Sequence, residues 1–167
     1  TYLHELAGLT FTVPPGWKEI KPSRLSRKID PRVNTVLRLD DPERDMTVAI
    51  YWLPLAGSEK VADWVREGSG DREYGEEYET LKTIYGGQRV SLPTRVRSIP
   101  FEPYRISIKS STESGLKYDG ALFLFEVGAG RTTFLVRLRF MYPAGDSLIH
   151  EQAMMDVLKG FAKAPRS

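Results

Sequence analysis

The chain has 167 residues, 41% hydrophobic and 28% charged, which suits one domain and excludes disorder, coiled coil and collagen. Its 24 Lys+Arg against 22 Asp+Glu leave a net charge of +2, too little to imply nucleic acid. The absence of Cys excludes disulfides, a thiolate nucleophile and a Cys-based zinc site, and the longest strictly apolar run (Tyr and Trp not counted), Ala121 to Phe125, is far short of the roughly 20 residues of a membrane span.

Residues 1–8 are expected to be a flexible leader. Leu9-Thr10-Phe11-Thr12-Val13 alternates apolar and polar side chains, as a half-buried strand must. Pro14-Pro15-Gly16 ends it, and Trp17 is expected to plug one edge of the core. Residues 33–39 alternate again, with Leu37 and Leu39 on one face and Arg38 on the other. Residues 40–45 form a polar turn, and Met46 to Leu53, apolar on both faces, reads as an interior strand. Ser58 is placed to cap a short helix carrying Val61, Trp64 and Val65 on one stripe, closed by Gly68 and Gly70.

A strand is expected near 78–85, then a Gly86-Gly87 turn into 88–97. Strands follow at 104–109, 117–127 and 132–142, separated by Gly-containing turns. In the last, Phe134, Val136, Leu138, Phe140 and Tyr142 face one way while Arg137 and Arg139 face the other. Asp146 or Ser147 caps a final helix whose stripe is Ile149, Ala153, Met154, Val157, Leu158 and Phe161, and 164–167 form a tail. Short turns between strands imply antiparallel pairing. The fold class is therefore α+β, with a single antiparallel sheet of about six strands and flanking helices.

The opening Leu9-Thr10-Phe11-Thr12-Val13-Pro14-Pro15-Gly16-Trp17-Lys18 resembles the strand–Pro–Gly–Trp entry of PsbP-like domains. The ending, a long strand, a polar break and a helix finishing in Leu158-Lys159-Gly160-Phe161, is similar in outline. The resemblance implies an α/β/α sandwich shared by photosynthetic extrinsic subunits, bacterial lipoproteins and a eukaryotic Ran-binding protein. Such domains mostly bind other proteins and lack enzymatic activity. Many are secreted or lipid-anchored, and the leader and anchor Cys of such a module would be missing from a trimmed chain.

Catalytic and metal chemistry find little footing. His4 and His150 belong to no metal-spaced set, and no Gly-x-Ser-x-Gly elbow accompanies them. Asp40, Asp41, Glu43 and Asp45 crowd one turn but lack the spacing of a calcium loop, so a solvated turn is expected. Ser114-Gly115-Leu116-Lys117 fits a Ser-x-x-Lys string but sits in a turn, and Gly128-Ala129-Gly130-Arg131 precedes a strand and so is no phosphate loop. No catalytic residue, metal site or cofactor is expected.

Charge is distributed unevenly. Lys18, Lys21, Arg24, Arg27, Lys28 and Arg32 form a basic stretch, and Glu59, Asp63, Glu67, Asp71, Glu73, Glu76, Glu77 and Glu79 an acidic one. Both serve solubility, and either can steer a charged partner. Arg38, Arg105, Lys109, Arg137 and Arg139 would share one sheet face if their strands were neighbours, unless a helix covers it. The expected function is a non-catalytic protein-binding module, extracytoplasmic, secreted or lipid-anchored, with Lys21, Arg24, Arg27, Lys28, Arg137 and Arg139 as partner-binding residues. A protein partner is expected, nucleic acid is not, and a membrane is met only through an anchor absent from this chain. The alternative is a chaperone or carrier holding an apolar peptide or lipid between sheet and helix.

Overall fold

The stretch that alternates most clearly in the sequence becomes the middle of the main sheet. The computed structural model describes residues 2–4, 8–20, 36–68, 87–90, 94–111, 115–145 and 147–163. In chain order the elements are β1 (Tyr2–His4), β2 (Leu9–Phe11), β3 (Lys18–Ile20), β4 (Val36–Asp41) and β5 (Met46–Pro54). Then come α1 (Val61–Gly68), β6 (Gly87–Val90), β7 (Thr94–Arg95), β8 (Tyr104–Ser111) and β9 (Lys117–Ala129). The chain closes with β10 (Thr132–Pro143), α2 (Ser147–Leu158) and β11 (Phe161–Lys163).

Seven strands lie in the order β3-β4-β5-β10-β9-β8-β6, and the two-residue β7 shares the outer edge of β8, making eight in this sheet. Every pairing is antiparallel. β10 is flanked by β5 and β9, which explains why Phe134 through Phe140 are buried on both faces. The β9–β10 hairpin turns on Gly130 and Arg131, with φ of 64° at Gly130, the conformation that glycine supplies to two-residue turns. Inside β9, Gly120 meets the backbone of β10 so closely that a Cβ would lie 2.4 Å from the Phe140 oxygen. The fold class is confirmed as antiparallel α+β, with a larger sheet than the expected six strands.

A second sheet, β1-β2-β11, corrects the expectation of a single one. Residues 2–4, expected in a flexible leader, pair with β2, and the end of the chain pairs with its other side. Tyr2–His4 and Phe161–Lys163, unlike β2, have no longer alternating stretch around them to reveal a strand. Phe161, read as the end of the last helix's stripe, lies in β11 and stacks on Phe11 with centroids 4.4 Å apart.

Each face of the main sheet has its own cover. One carries Leu37, Leu39, Val48, Ile50, Phe123, Phe125, Val136, Leu138 and Phe140, packed with Met154, Val157 and Leu158 of α2 and with the small sheet. Trp17 plugs this core as expected, edge-on to Phe140 at 6.4 Å. The other face carries Tyr51, Leu53, Ile106, Ile108, Leu122, Leu124 and Leu135 beneath Val61 and Trp64 of α1. Burial at about 1.5–3 kcal/mol per large apolar side chain is the main force holding both layers.

Several expectations shift in detail. The α1 N-cap position is Lys60 and not Ser58: Asp63 accepts the Lys60 N–H at 3.0 Å, as the third helical residue does in a capping box. In α2, Ala153, Met154, Val157 and Leu158 are buried, but Ile149 is 49% exposed and Leu148 78%. The strand expected near 78–85, the side chain of Val65, Gly70, Asp146 and the tail 164–167 lie outside the described residues.

Candidate binding cleft

Where α1 begins, the chain forms two nested reciprocal turns. Glu59 N–H donates to the Ala56 oxygen at 2.9 Å, and the Glu59 carboxylate accepts the Ala56 N–H at 2.9 Å. One turn later Asp63 N–H donates to the Lys60 oxygen at 3.0 Å while its carboxylate takes the Lys60 N–H. The second Glu59 oxygen accepts Trp64 Nε1–H at 3.2 Å, tying the turn to the buried face of the helix. Leu55 N–H donates to the Thr133 oxygen at 2.8 Å and fixes the turn against β10. Glu59 and Asp63, read from sequence as part of an acidic docking stretch, thus brace the entry to α1.

Across from this entry, residues 96–103 make a tight turn after β7. Val96 N–H donates to the Pro103 oxygen at 2.8 Å and Glu102 N–H to the Ile99 oxygen at 3.1 Å. Phe101 and Glu102 adopt φ of 67° and 44°, the left-handed region that side chains disfavour. Packing over-determines them: Ile99 is buried, and Phe101 stacks on Phe125 with centroids 5.0 Å apart. Arg95 holds the turn shut, its Nε donating to the Glu102 oxygen at 3.0 Å and its Nη1 to the Tyr104 hydroxyl at 3.1 Å. The same guanidinium lies over the Tyr104 ring at 4.7 Å.

Between these two walls and the end of the β9–β10 hairpin opens a cleft of about 590 Å³, lined by Leu55, Gly57, Lys60, Phe101, Glu126, Arg131 and Thr133 among others. Backbone strain at two consecutive residues beside a cavity marks a functional candidate. Sequence reasoning missed it because neither Phe nor Glu signals left-handed backbone. The available signal was the pair of acids three residues after Ala56 and Lys60.

The residues singled out from the sequence fall elsewhere. Lys21, Arg24, Arg27 and Lys28 lie outside the described residues. Arg137 is fully buried and Arg139 is 8% exposed, so neither side chain lies on an open face. The reason is register: Arg137 pairs with Tyr51 and Leu124 on the face beneath α1, its guanidinium 5.0 Å from the Tyr51 ring centroid. The basic row also splits. Arg38, Ala49 and Arg139 run across one face, whereas Arg105 and Lys109 pair with Phe123 and Asp119 on the other.

The acidic turn is structural. Asp41 is fully buried and takes the Arg44 Nη1–H at 2.6 Å, and this pairing holds the Arg44 guanidinium above its usual range. His150 is half-buried, with Nε2 3.0 Å from the Arg44 oxygen and its ring stacked on Tyr142 at 4.2 Å. Among the described residues no three His, Cys, Asp or Glu side chains gather as a metal would need. No described helix is long and apolar enough to cross a membrane.

No family model matches the chain, and no curated protein matches its sequence. Solved structures share its fold. LpqN, involved in cell envelope biogenesis of Mycobacterium tuberculosis, aligns with a TM-score of 0.60 at 15% identity, over 94% of this chain and 83% of its own. A point variant of Mog1 aligns at 0.52 and 10% identity, over 98% and 94%. The Saccharomyces cerevisiae Ran-binding protein Mog1p aligns at 0.49 and 10%, over 93% and 90%. For LpqN and the Mog1 variant the likeness establishes a common fold.

Proposed function

We propose that the chain is a non-catalytic, protein-binding module of the PsbP-like kind, which receives a segment of its partner in the cleft beside α1. One observation carries this reading: Glu59 and Arg95, which brace the two walls of the cleft, are spent on holding those walls. Both Glu59 oxygens are occupied by Ala56 and Trp64, and the Arg95 fork is occupied by Glu102 and Tyr104. A general acid or base must be able to give or take a proton from substrate, and braced groups are poor at it. A rigid cleft with apolar patches and charges at its rim is what partner recognition uses.

The carrier alternative has less support, since side chains fill the space between sheet and helices. Val61 and Trp64 occupy one side, Met154, Val157 and Leu158 the other. An extracytoplasmic setting is part of the proposal, supported by the fold shared with the cell-envelope protein LpqN.

Photo-crosslinking tests the reading. Thr133→p-benzoylphenylalanine places a reactive group in the cleft without touching the backbone bond to Leu55. The same substitution at exposed Lys163 serves as control. A discrete protein adduct from position 133 and none from 163, in cells that make the protein, is the expected result. Adducts from neither position, or from both alike, would overturn it.

A further inference from the structure

We propose that Pro100-Phe101-Glu102, the tip of the turn after β7, is a small flap that swings off Phe125 while the base of the turn stays in place. This goes beyond the binding role and stands on the turn alone, whatever the cleft receives. The base is anchored. Ile99 and Pro103 are buried, and the Val96 N–H closes on the Pro103 oxygen at 2.8 Å. The tip is not anchored in this way, for Pro100 and Glu102 are exposed and Phe101 is half-buried. Base and α1 therefore give the cleft its fixed frame, and only three residues move against it.

The strain is concentrated in the moving part. Phe101 and Glu102, with φ of 67° and 44°, are consecutive side-chain-bearing residues in the left-handed region. Glu102 also precedes Pro103, and a proline favours extended backbone in the residue before it, far from that φ. Few contacts hold the strained form. Glu102 N–H donates to the Ile99 oxygen at 3.1 Å, Arg95 Nε–H donates to the Glu102 oxygen at 3.0 Å, and the Phe101 ring lies 13° from parallel on Phe125. The Arg95 side chain is 42% exposed, so water competes for its bond. Strain released on opening is comparable in size to these contacts, which makes the tip a two-state element with the closed form at rest.

Opening has a consequence for the cleft. Phe125 is 3% exposed, lines the cleft with Phe101, and is backed edge-on by Phe161 at 5.4 Å. Lifting Phe101 uncovers one face of that ring. Phe101 is thus an autoinhibitory plug on an aromatic floor, and Arg95 is its latch.

Amide hydrogen exchange on the full chain tests the flap. The Glu102 amide should exchange about a hundredfold faster than the Val96 amide, because the tip opens without the base. Arg95→Ala should speed exchange at Glu102 about tenfold and leave the β9 and β10 amides unchanged. Arg95→Lys, which also loses the fork, replaces it if the alanine variant does not fold. Glu102→Gly acts the other way. It relieves the closed form and should slow exchange at position 102 about fivefold, after allowance for the intrinsic rate of glycine. A merely loose loop would loosen further with glycine. Fluorine-labelled phenylalanine at positions 101 and 125 should show exchange at matching rates, since the two rings part together. Equal protection of Glu102 and Val96, acceleration by Arg95→Ala spread over the whole sheet, faster exchange in Glu102→Gly, or unmatched ring exchange would each overturn the proposal.

Discussion

Arg105 on β8 and Glu151 on α2, 46 positions apart in sequence, form a two-pronged ion pair that ties the helix to the sheet. The Nη2–Oε2 contact is 2.8 Å, and the remaining Arg105 Nε donates to Ser107 Oγ at 3.2 Å. The guanidinium also rests 5.5 Å over the Phe123 ring. Arg105, read from sequence as part of a basic row open only if no helix covers it, is thus a clasp to the helix that does. Glu151→Gln should lower the unfolding free energy by about 1 kcal/mol, and the loss should shrink in molar salt because the pair is part-exposed. Urea denaturation at two ionic strengths measures both, and a neutral effect at low salt would refute the clasp.

Two glycines tolerate no side chain. A Cβ at Gly160 would lie 2.5 Å from the Thr12 oxygen, and one at Gly120 lies as close to the Phe140 oxygen. Both obstacles are backbone and move only if strands part. Gly120→Ala and Gly160→Ala should each cost about 2–3 kcal/mol, read as a fall in Tm. Gly128→Ala, with open space around it, should be silent and serves as control.

Arg137 separates a core role from a surface role. Its burial and its place over Tyr51 predict that Arg137→Ala destabilises the fold by about 2–4 kcal/mol. A surface docking residue would instead change partner affinity with stability unmoved. Chemical denaturation decides between these outcomes.

The left-handed turn carries strain that can be released. Glu102 has φ of 44°, and among the described residues its half-exposed carboxylate makes only the 3.8 Å contact with Arg95. Glu102→Gly should therefore stabilise the chain by about 1 kcal/mol. Phe101→Gly relieves similar strain but loses the Phe125 stack, so it should be destabilising. A stabilising Phe101→Gly would show that the ring contributes little to holding the cleft wall.

Tyr142 links stability to alkaline pH. Burial above all, then the negative charges of Asp119 and Glu151, hold its phenol above the usual range, against a smaller opposing effect of Arg105. The folded state thus favours the neutral phenol. Its contribution is complete below the ordinary phenol value of about 10 and is lost as pH rises from there toward the raised value. Tyr142→Phe should flatten that decline, visible in denaturation midpoints collected from about pH 9 upward.

Much of the main sheet was legible because its long strands carry the alternation that a two-faced layer requires. Phe134 to Tyr142 displayed it best, since both neighbouring strands are buried with it. β1, β3 and β11 were not legible, for they lack the longer alternating stretch that Thr12 and Val13 add to β2. Faces were legible within a strand but not between strands: Arg105 and Arg137 alternate correctly, yet register sets them on opposite sides. The cleft was the least legible part. Its shape depends on Phe101 and Glu102 being forced into a backbone region by distant contacts with Phe125 and Arg95. Local propensity carries no trace of such constraints.

The small sheet has a mechanical consequence. β1 and β11 run in the same direction on either side of β2, with Tyr2 and Phe161 both opposite Phe11 and with His4 and Lys163 both opposite Leu9. Tension applied through the two ends of the chain would drag the outer ribbons past the central one along their length, loading the rungs together instead of peeling them in turn. A molecule tethered at one end and tugged at the other would yield late and all at once.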